Sequence, residues 1–167
     1  MRFSPDLQTR VLNSPLGPLT LAASPLGLVG AWFEGDVHRP DTRAWPQAHH
    51  HALLQEAQQQ LLAYLAGRTV PFDLPLDLRS GTDFQQTVWR TLLTLPYGTH
   101  STYGRLGAQM GKPLAARAVG AAVARNPLII IVPCHRVLGA DGTLTGFAAG
   151  LSRKRALLQL ERIRFRE

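Results

Sequence analysis

A second cysteine is missing from this 167-residue chain. With Cys134 alone, no internal disulfide can form, and a cysteine-based zinc site is excluded. Also missing are a secretory h-region and any apolar stretch long enough to span a membrane, so no membrane partner and a reducing cytoplasm are expected. Carboxylates are scarce in the second half. Residues 1–80 hold 6 Lys/Arg against 7 Asp/Glu, whereas residues 81–167 hold 12 against 4. The surplus behind the net charge of +7 therefore lies wholly in the part that carries the cysteine. That points to a polyanion such as nucleic acid, with a merely solvated basic surface as the alternative.

What is present is enough for a real core, with 45% hydrophobic residues. Thr9 to Asn13, Leu19 to Ser24 and Leu28 to Phe33 have the composition of three short strands, simplest as a β-meander. Asp36 to His51 is polar and holds two prolines, so it is expected to be a loop. The three histidines that end it, His49-His50-His51, are consecutive and point to alternate faces of an extended chain, a poor arrangement for one metal. Leu54, Ala57, Leu61 and Leu65 recur at helical spacing from Ala52 to Leu65, with Gly67 as the stop. Val70 to Leu78 alternates as an edge strand or extended linker, and Arg79-Ser80-Gly81 marks a boundary. A supporting domain over residues 1–80 and a second domain over residues 81–167 follow.

The second half opens with a helix signal, Asp83 as N-cap and Gln86 three residues on, with Phe84, Val88 and Leu92 in one stripe. Ser101-Thr102 can cap a short helix from Tyr103 to Met110, which Gly111-Lys112-Pro113 breaks before a further helix from Leu114 to Arg125. Two short helices about a tight glycine-containing turn outline a helix-turn-helix. The second of them is nearly all small residues with one long basic one, Arg117. In a DNA groove it would dock closely with little sequence preference; packed in a core, Arg117 would extend its head to water. The β-branched run before Pro133 suggests a buried extended segment that ends at Cys134. The Cys134 thiol is either a small buried hydrophobe or, with His135 and Arg136 beside it, an activated nucleophile. After it come an Asp141-Gly142 turn, a small-residue loop from Gly146 to Gly150, and a last helix from a Ser152 cap through Glu161. That helix is expected to expose Arg153, Lys154 and Arg155, and Glu161 has the default reading of a weak surface salt bridge.

Several motifs in one order raise the specificity: Tyr97-Gly98 with Ser101-Thr102-Tyr103, Ala115-Ala116-Arg117-Ala118-Val119-Gly120, Arg125-Asn126-Pro127, Pro133-Cys134-His135-Arg136-Val137, and Arg153-Lys154 with Glu161. Together they resemble the O6-alkylguanine-DNA alkyltransferases over the whole C-terminal half. Over residues 1–80 the likeness is one of architecture alone. The resemblance implies an α+β protein, a small ribonuclease H-like domain of antiparallel strands and a helix followed by a mostly helical, winged helix-turn-helix-like domain. It implies a monomer, with no cofactor and no metal, whose partner is double-stranded DNA containing alkylated guanine and also O4-alkylthymine.

By the same resemblance, Arg117 fills the space of a base rotated out of the stack, and Cys134 takes the alkyl group in a single turnover. His135 and Glu161 activate the thiol through a water, Tyr103 serves the leaving base, and Asn126 holds the turn before the cysteine segment. Ser101, Thr102, Ala116, Ala118, Gly120 and Arg125 are the further expected DNA contacts. Val137, Phe147, Ala148 and Ala149 are expected to line the substrate pocket. Phe147-Ala148-Ala149 stands where vertebrate members have Tyr-Ser-Gly, so two hydroxyls are missing and one glycine has gained a methyl. Arg136 has no role carried over. A lesion-binding protein without transfer is the first rival, and a Cys-His-Glu hydrolase the second.

Overall fold

A computed structural model describes residues 1–4, 6–69 and 71–167. The chain divides into two compact units, residues 1–81 with 127–131, and residues 82–126 with 132–167.

In the first unit, β1 (Gln8–Ser14), β2 (Gly17–Ser24) and β3 (Gly27–Phe33) form an antiparallel meander in that order. Every residue of β3 is buried, so both faces of this strand are covered. Trp32 folds back along its own strand, and a Cβ on Gly30 would stand 1.8 Å from its ring, which is why position 30 carries no side chain. Trp32 then joins Phe3 and Trp45 in an aromatic cluster with Leu7, Ala22 and Val29. Helix α1 (Ala52–Leu65) packs on the three strands through Leu54, Ala57, Leu61 and Tyr64, with Tyr64 taking the place expected of Leu65. It ends in a Schellman motif at Gly67, whose φ of 88° suits glycine. The extended run expected from Val70 loses that residue, which lies outside the described ones. The remainder is held as an isolated bridge, Leu76 beside Leu28, rather than a full strand.

The apolar segment before the cysteine is buried as expected but is not a strand. Leu128 bridges to Ala31, with Ala31 N donating to Pro127 O at 2.8 Å, and then Ile130 turns the chain with a φ of 75°. A β-branched residue is strained in that left-handed region, and a continuous ladder cannot pass through it.

The second unit begins with α2 (Asp83–Leu93). Its N-cap is Thr82, not Asp83: Gln85 N donates to Thr82 Oγ1 at 3.3 Å while Thr82 N donates to Gln85 Oε1 at 3.0 Å. This reciprocal box satisfies two free amides, and Asp83 is left one residue inside, where its charge still favours the helix N-terminus. β4 (Ser101–Thr102) follows, and Thr102 caps α3 (Tyr103–Gln109) by accepting from Arg105 N. Gly111, at a φ of 70°, lets Lys112 N reach back to Gly107 O at 2.7 Å. A Cβ on Gly107 would press to 2.8 Å from Lys112 O, so both glycines serve this tight turn.

Helix α4 (Ala116–Ala124) is shorter than the run expected from Leu114, whose side chain is fully exposed. It packs against α3 and α2, and Trp89 Nε1 donates to Ala122 O at 2.9 Å. Beyond the cysteine, β5 (Val137–Leu138) pairs in parallel with β4, a pairing too short to announce itself in sequence. Helix α5 (Leu151–Leu160) is entered through Gly150, at a φ of 92°, so Ser152 lies within the helix rather than capping it.

Candidate active site

Cys134 begins a three-residue 3₁₀ turn, Cys134–Arg136, and is 5% exposed. Pro133 prepares it. With φ −80° and ψ 62° it centres an inverse γ-turn in which Cys134 N donates to Val132 O at 2.8 Å. The same carbonyl accepts Asn126 Nδ2 at 2.8 Å, so a buried side chain from the end of α4 fixes the residue two before the thiol. The cysteine and histidine are thus on a turn, and the extended geometry expected for them is replaced.

Glu161 is buried, not a surface residue. Its Oε1 accepts His135 Nε2 at 2.9 Å and Arg136 Nη2 at 2.8 Å, while Oε2 accepts Arg136 Nε at 2.8 Å and Gly98 N at 3.1 Å. Four donors, two of them from one bidentate guanidinium, hold it as a carboxylate. His135 is wholly buried, and burial pushes its pKa below the ordinary value more than Glu161 raises it. Since Arg136 already balances the carboxylate, the imidazole is neutral at pH 7. Its Nε2 then carries the proton that Glu161 receives, and Nδ1 carries the basic lone pair, an assignment that follows from the bonding.

Arg136, read in the sequence as a candidate cation for the thiol and given no role by the resemblance, instead pairs with Glu161 and completes this site. Its Nη1 also donates to Leu95 O at 2.6 Å, and its guanidinium lies 5.9 Å from the Tyr97 ring centre. Lys154 is the second correction. Expected on the exposed side of α5, it is fully buried, and its Nζ donates to Val137 O at 2.6 Å, to Thr145 O, and to Gly146 O at 3.3 Å. The signal was there in the spacing, since Lys154, Leu157, Leu158 and Glu161 repeat at i, i+3, i+4 and i+7 and are all buried. Of the other two expected on that face, Arg153 is half-buried with its Nη1 on Ala149 O, and Arg155 pairs with Glu167.

Tyr103, at the start of α3, shares a hydrogen bond of 3.2 Å with Thr145 Oγ1, and Gly120 of α4 lies against its ring. Arg117, Ala118 and Arg125 are exposed, with Ala116, Gly120 and Thr102 half-buried. Ser101 differs from these, being buried where β4 meets Val137. Val137 and Ala149 are buried, and Phe147 and Ala148 are half-buried on the loop between Thr145 and α5.

Among the described residues, no helix is long and apolar enough to cross a membrane. Residues 7–78 match the family model described as 6-O-methylguanine DNA methyltransferase, ribonuclease-like domain, and residues 83–163 match the DNA binding domain of the same family. A methylated-DNA–protein-cysteine methyltransferase of Mycobacterium tuberculosis is 50% identical over 155 residues, 93% of this chain and 92% of that protein. One of Methanosarcina barkeri is 45% identical, over 90% of this chain and 94% of its own. The crystal structure of Mycobacterium tuberculosis OGT in complex with DNA is similar with a TM-score of 0.87 and 49% identity, covering 93% of each chain. This chain therefore belongs to the 6-O-methylguanine DNA methyltransferase family.

Proposed function

We propose that this protein repairs alkylated DNA by direct reversal. It takes an O6-alkylated guanine out of a duplex and moves the alkyl group to the sulfur of Cys134, once per molecule. The observation that carries this reading is the buried His135–Glu161 pair beside the only cysteine, in a chain half identical to methylated-DNA–protein-cysteine methyltransferases.

The reaction balances on this chain's own groups. His135 Nδ1 takes the thiol proton through a water, and Glu161 steadies the imidazolium that forms. The thiolate attacks the saturated alkyl carbon, an S–C bond forms, the C–O6 bond breaks, and the electron pair leaves with guanine. Tyr103 supplies a hydrogen bond or proton as charge develops on the base. Asn126 keeps the Cys134 turn in place through Val132 O. A thioether has no easy hydrolytic return, so the product is the spent protein.

Arg117, exposed on α4, is the side chain that fills the gap left by the base, with the small residues Ala116, Ala118 and Gly120 allowing close approach. Thr102 and Arg125 contact the DNA backbone, and buried Ser101 supports Thr102 from within. Val137 and Phe147 to Ala149 line the alkyl pocket. In this reading residues 1–80 support and residues 81–167 bind DNA and accept the alkyl group, in the cytoplasm. Titrating O6-methylguanine DNA against the protein tests it: repair should stop at one lesion per protein. Consumption beyond one equivalent would favour a hydrolase, and binding without repair a lesion-recognition protein.

A further inference from the structure

Lys154 presents a chemical puzzle. Leu157 and Leu158 share its buried face of α5, and a methionine or leucine would fill position 154 without the large desolvation cost of an ammonium. Its three donors meet three carbonyls, of Val137, Thr145 and Gly146, so its hydrogen bonding is complete. Carbonyls carry no net charge, however, and none of these three partners is a carboxylate.

We propose that Lys154 is a positioning residue for alkyl transfer: its ammonium ties the Thr145–Gly146 start of the pocket loop to the segment running on from Cys134, and its charge favours the ionised thiol. The proposal rests on Cys134 being the alkyl acceptor, although the clamp itself does not. Val137 lies three residues beyond Cys134, and Thr145 also holds the Tyr103 hydroxyl, so one side chain sets the spacing of acceptor turn, base-binding tyrosine and pocket loop. The titratable groups coupled to it are Cys134 and His135 on the turn; Tyr103 lies beyond Thr145, and Glu161, buried on the same side of α5, is balanced by Arg136.

Burial pushes the lysine pKa down to about 8, and the Cys134 thiolate opposes that fall. Lys154 is therefore still a cation at neutral pH, and the coupling is mutual: what the thiolate does for the ammonium, the ammonium does for the thiolate.

The chain has two lysines, Lys112 and Lys154, so ¹³Cε-lysine labelling gives two signals. Capping Cys134 with iodoacetamide should lower the pH at which the Lys154 signal titrates and leave Lys112 in place. An unmoved Lys154 titration would overturn the charge coupling in the wild-type protein. Lys154→Gln keeps donors but loses the charge. Its iodoacetamide rate profile should move to higher pH, with the reaction at pH 7 slowing about tenfold for every pH unit the profile moves, and methyl transfer from DNA should slow with it. A folded Lys154→Gln protein with the wild-type pH profile would overturn the proposal. Neither thiol measurement uses DNA, so if both behave as expected and no methyl is transferred, it is the repair reading that fails.

Discussion

Arg136 grips Glu161 with two hydrogen bonds of 2.8 Å, Nε to Oε2 and Nη2 to Oε1, and so decides what Glu161 can do for His135. A carboxylate balanced in this way stays ionised, and it can receive the imidazole N–H without drawing a second proton onto the ring. His135 therefore stays neutral and basic. Breaking a buried pair from one side leaves the other charge uncompensated, so Arg136→Met should lower unfolding free energy by about 3–5 kcal/mol. Urea melts at pH 7 measure this, and a loss under about 1 kcal/mol would mean that Glu161 is adequately held by His135 and Gly98 alone.

The buried imidazole sets a pH dependence of stability. Its folded pKa lies below the ordinary 6.5, so the unfolded chain binds a proton first as pH falls. Stability is thus full above about 6.5 and declines below it, by up to about 1.4 kcal/mol per pH unit. Lys154, with its pKa lowered from 10.5 to about 8, acts in a higher window and does not overlap. Asp41 and Asp77, lowered to about 2, act in a lower one. Unfolding measured between pH 7 and pH 5 should show the decline in the wild type and a flatter curve in His135→Gln. Equal slopes would show that folding leaves the His135 pKa unshifted, and a steeper decline in His135→Gln would show that the folded protein holds the ring protonated.

Arg117 separates chemistry from access to the base. Because it is exposed on α4, Arg117→Ala should melt within about 0.5 kcal/mol of the wild type. Its thiol should still react with free O6-methylguanine or O6-benzylguanine base at the wild-type rate, whereas repair of duplex DNA should slow by at least about tenfold, the loss of a gap-filling side chain. A variant slowed equally on free base would place Arg117 in the chemistry instead.

The pocket loop predicts a size preference. Ala149 is buried, and Ala149 O is held by Arg153 while Lys154 holds Thr145 O and Gly146 O, so the loop has little freedom to widen. Methyl groups should be removed from DNA faster than benzyl groups, and Ala149→Gly should narrow the difference. Equal inactivation by methylated and benzylated guanine substrates would refute the tight pocket.

Much of this was legible from residue order. The meander, α1 to its last residue and the two helices about Gly111 follow from periodicity and turn chemistry, which are local signals. Local signals also explain the errors. Asp83 and Thr82 are both good caps, and only the Gln85 side chain folding back selects Thr82. The extended run before Cys134 has the composition of a strand, but Ile130 adopts a φ that no propensity favours. The two charged residues that matter most depend on distant partners: Arg136 reads as a cation for the neighbouring thiol and Lys154 as an exposed one until Glu161, 25 residues on, and the Val137 carbonyl, 17 residues back, accept them.

Whether Cys134 accepts the alkyl group is read from intact-protein mass spectrometry after mixing with one equivalent of O6-methylguanine duplex DNA. A gain of about 14 mass units is expected, one methyl in place of one thiol hydrogen, located on Cys134 and absent in Cys134→Ala. A folded, reduced wild-type protein whose mass does not change while the lesion stays in the DNA would contradict transfer to Cys134.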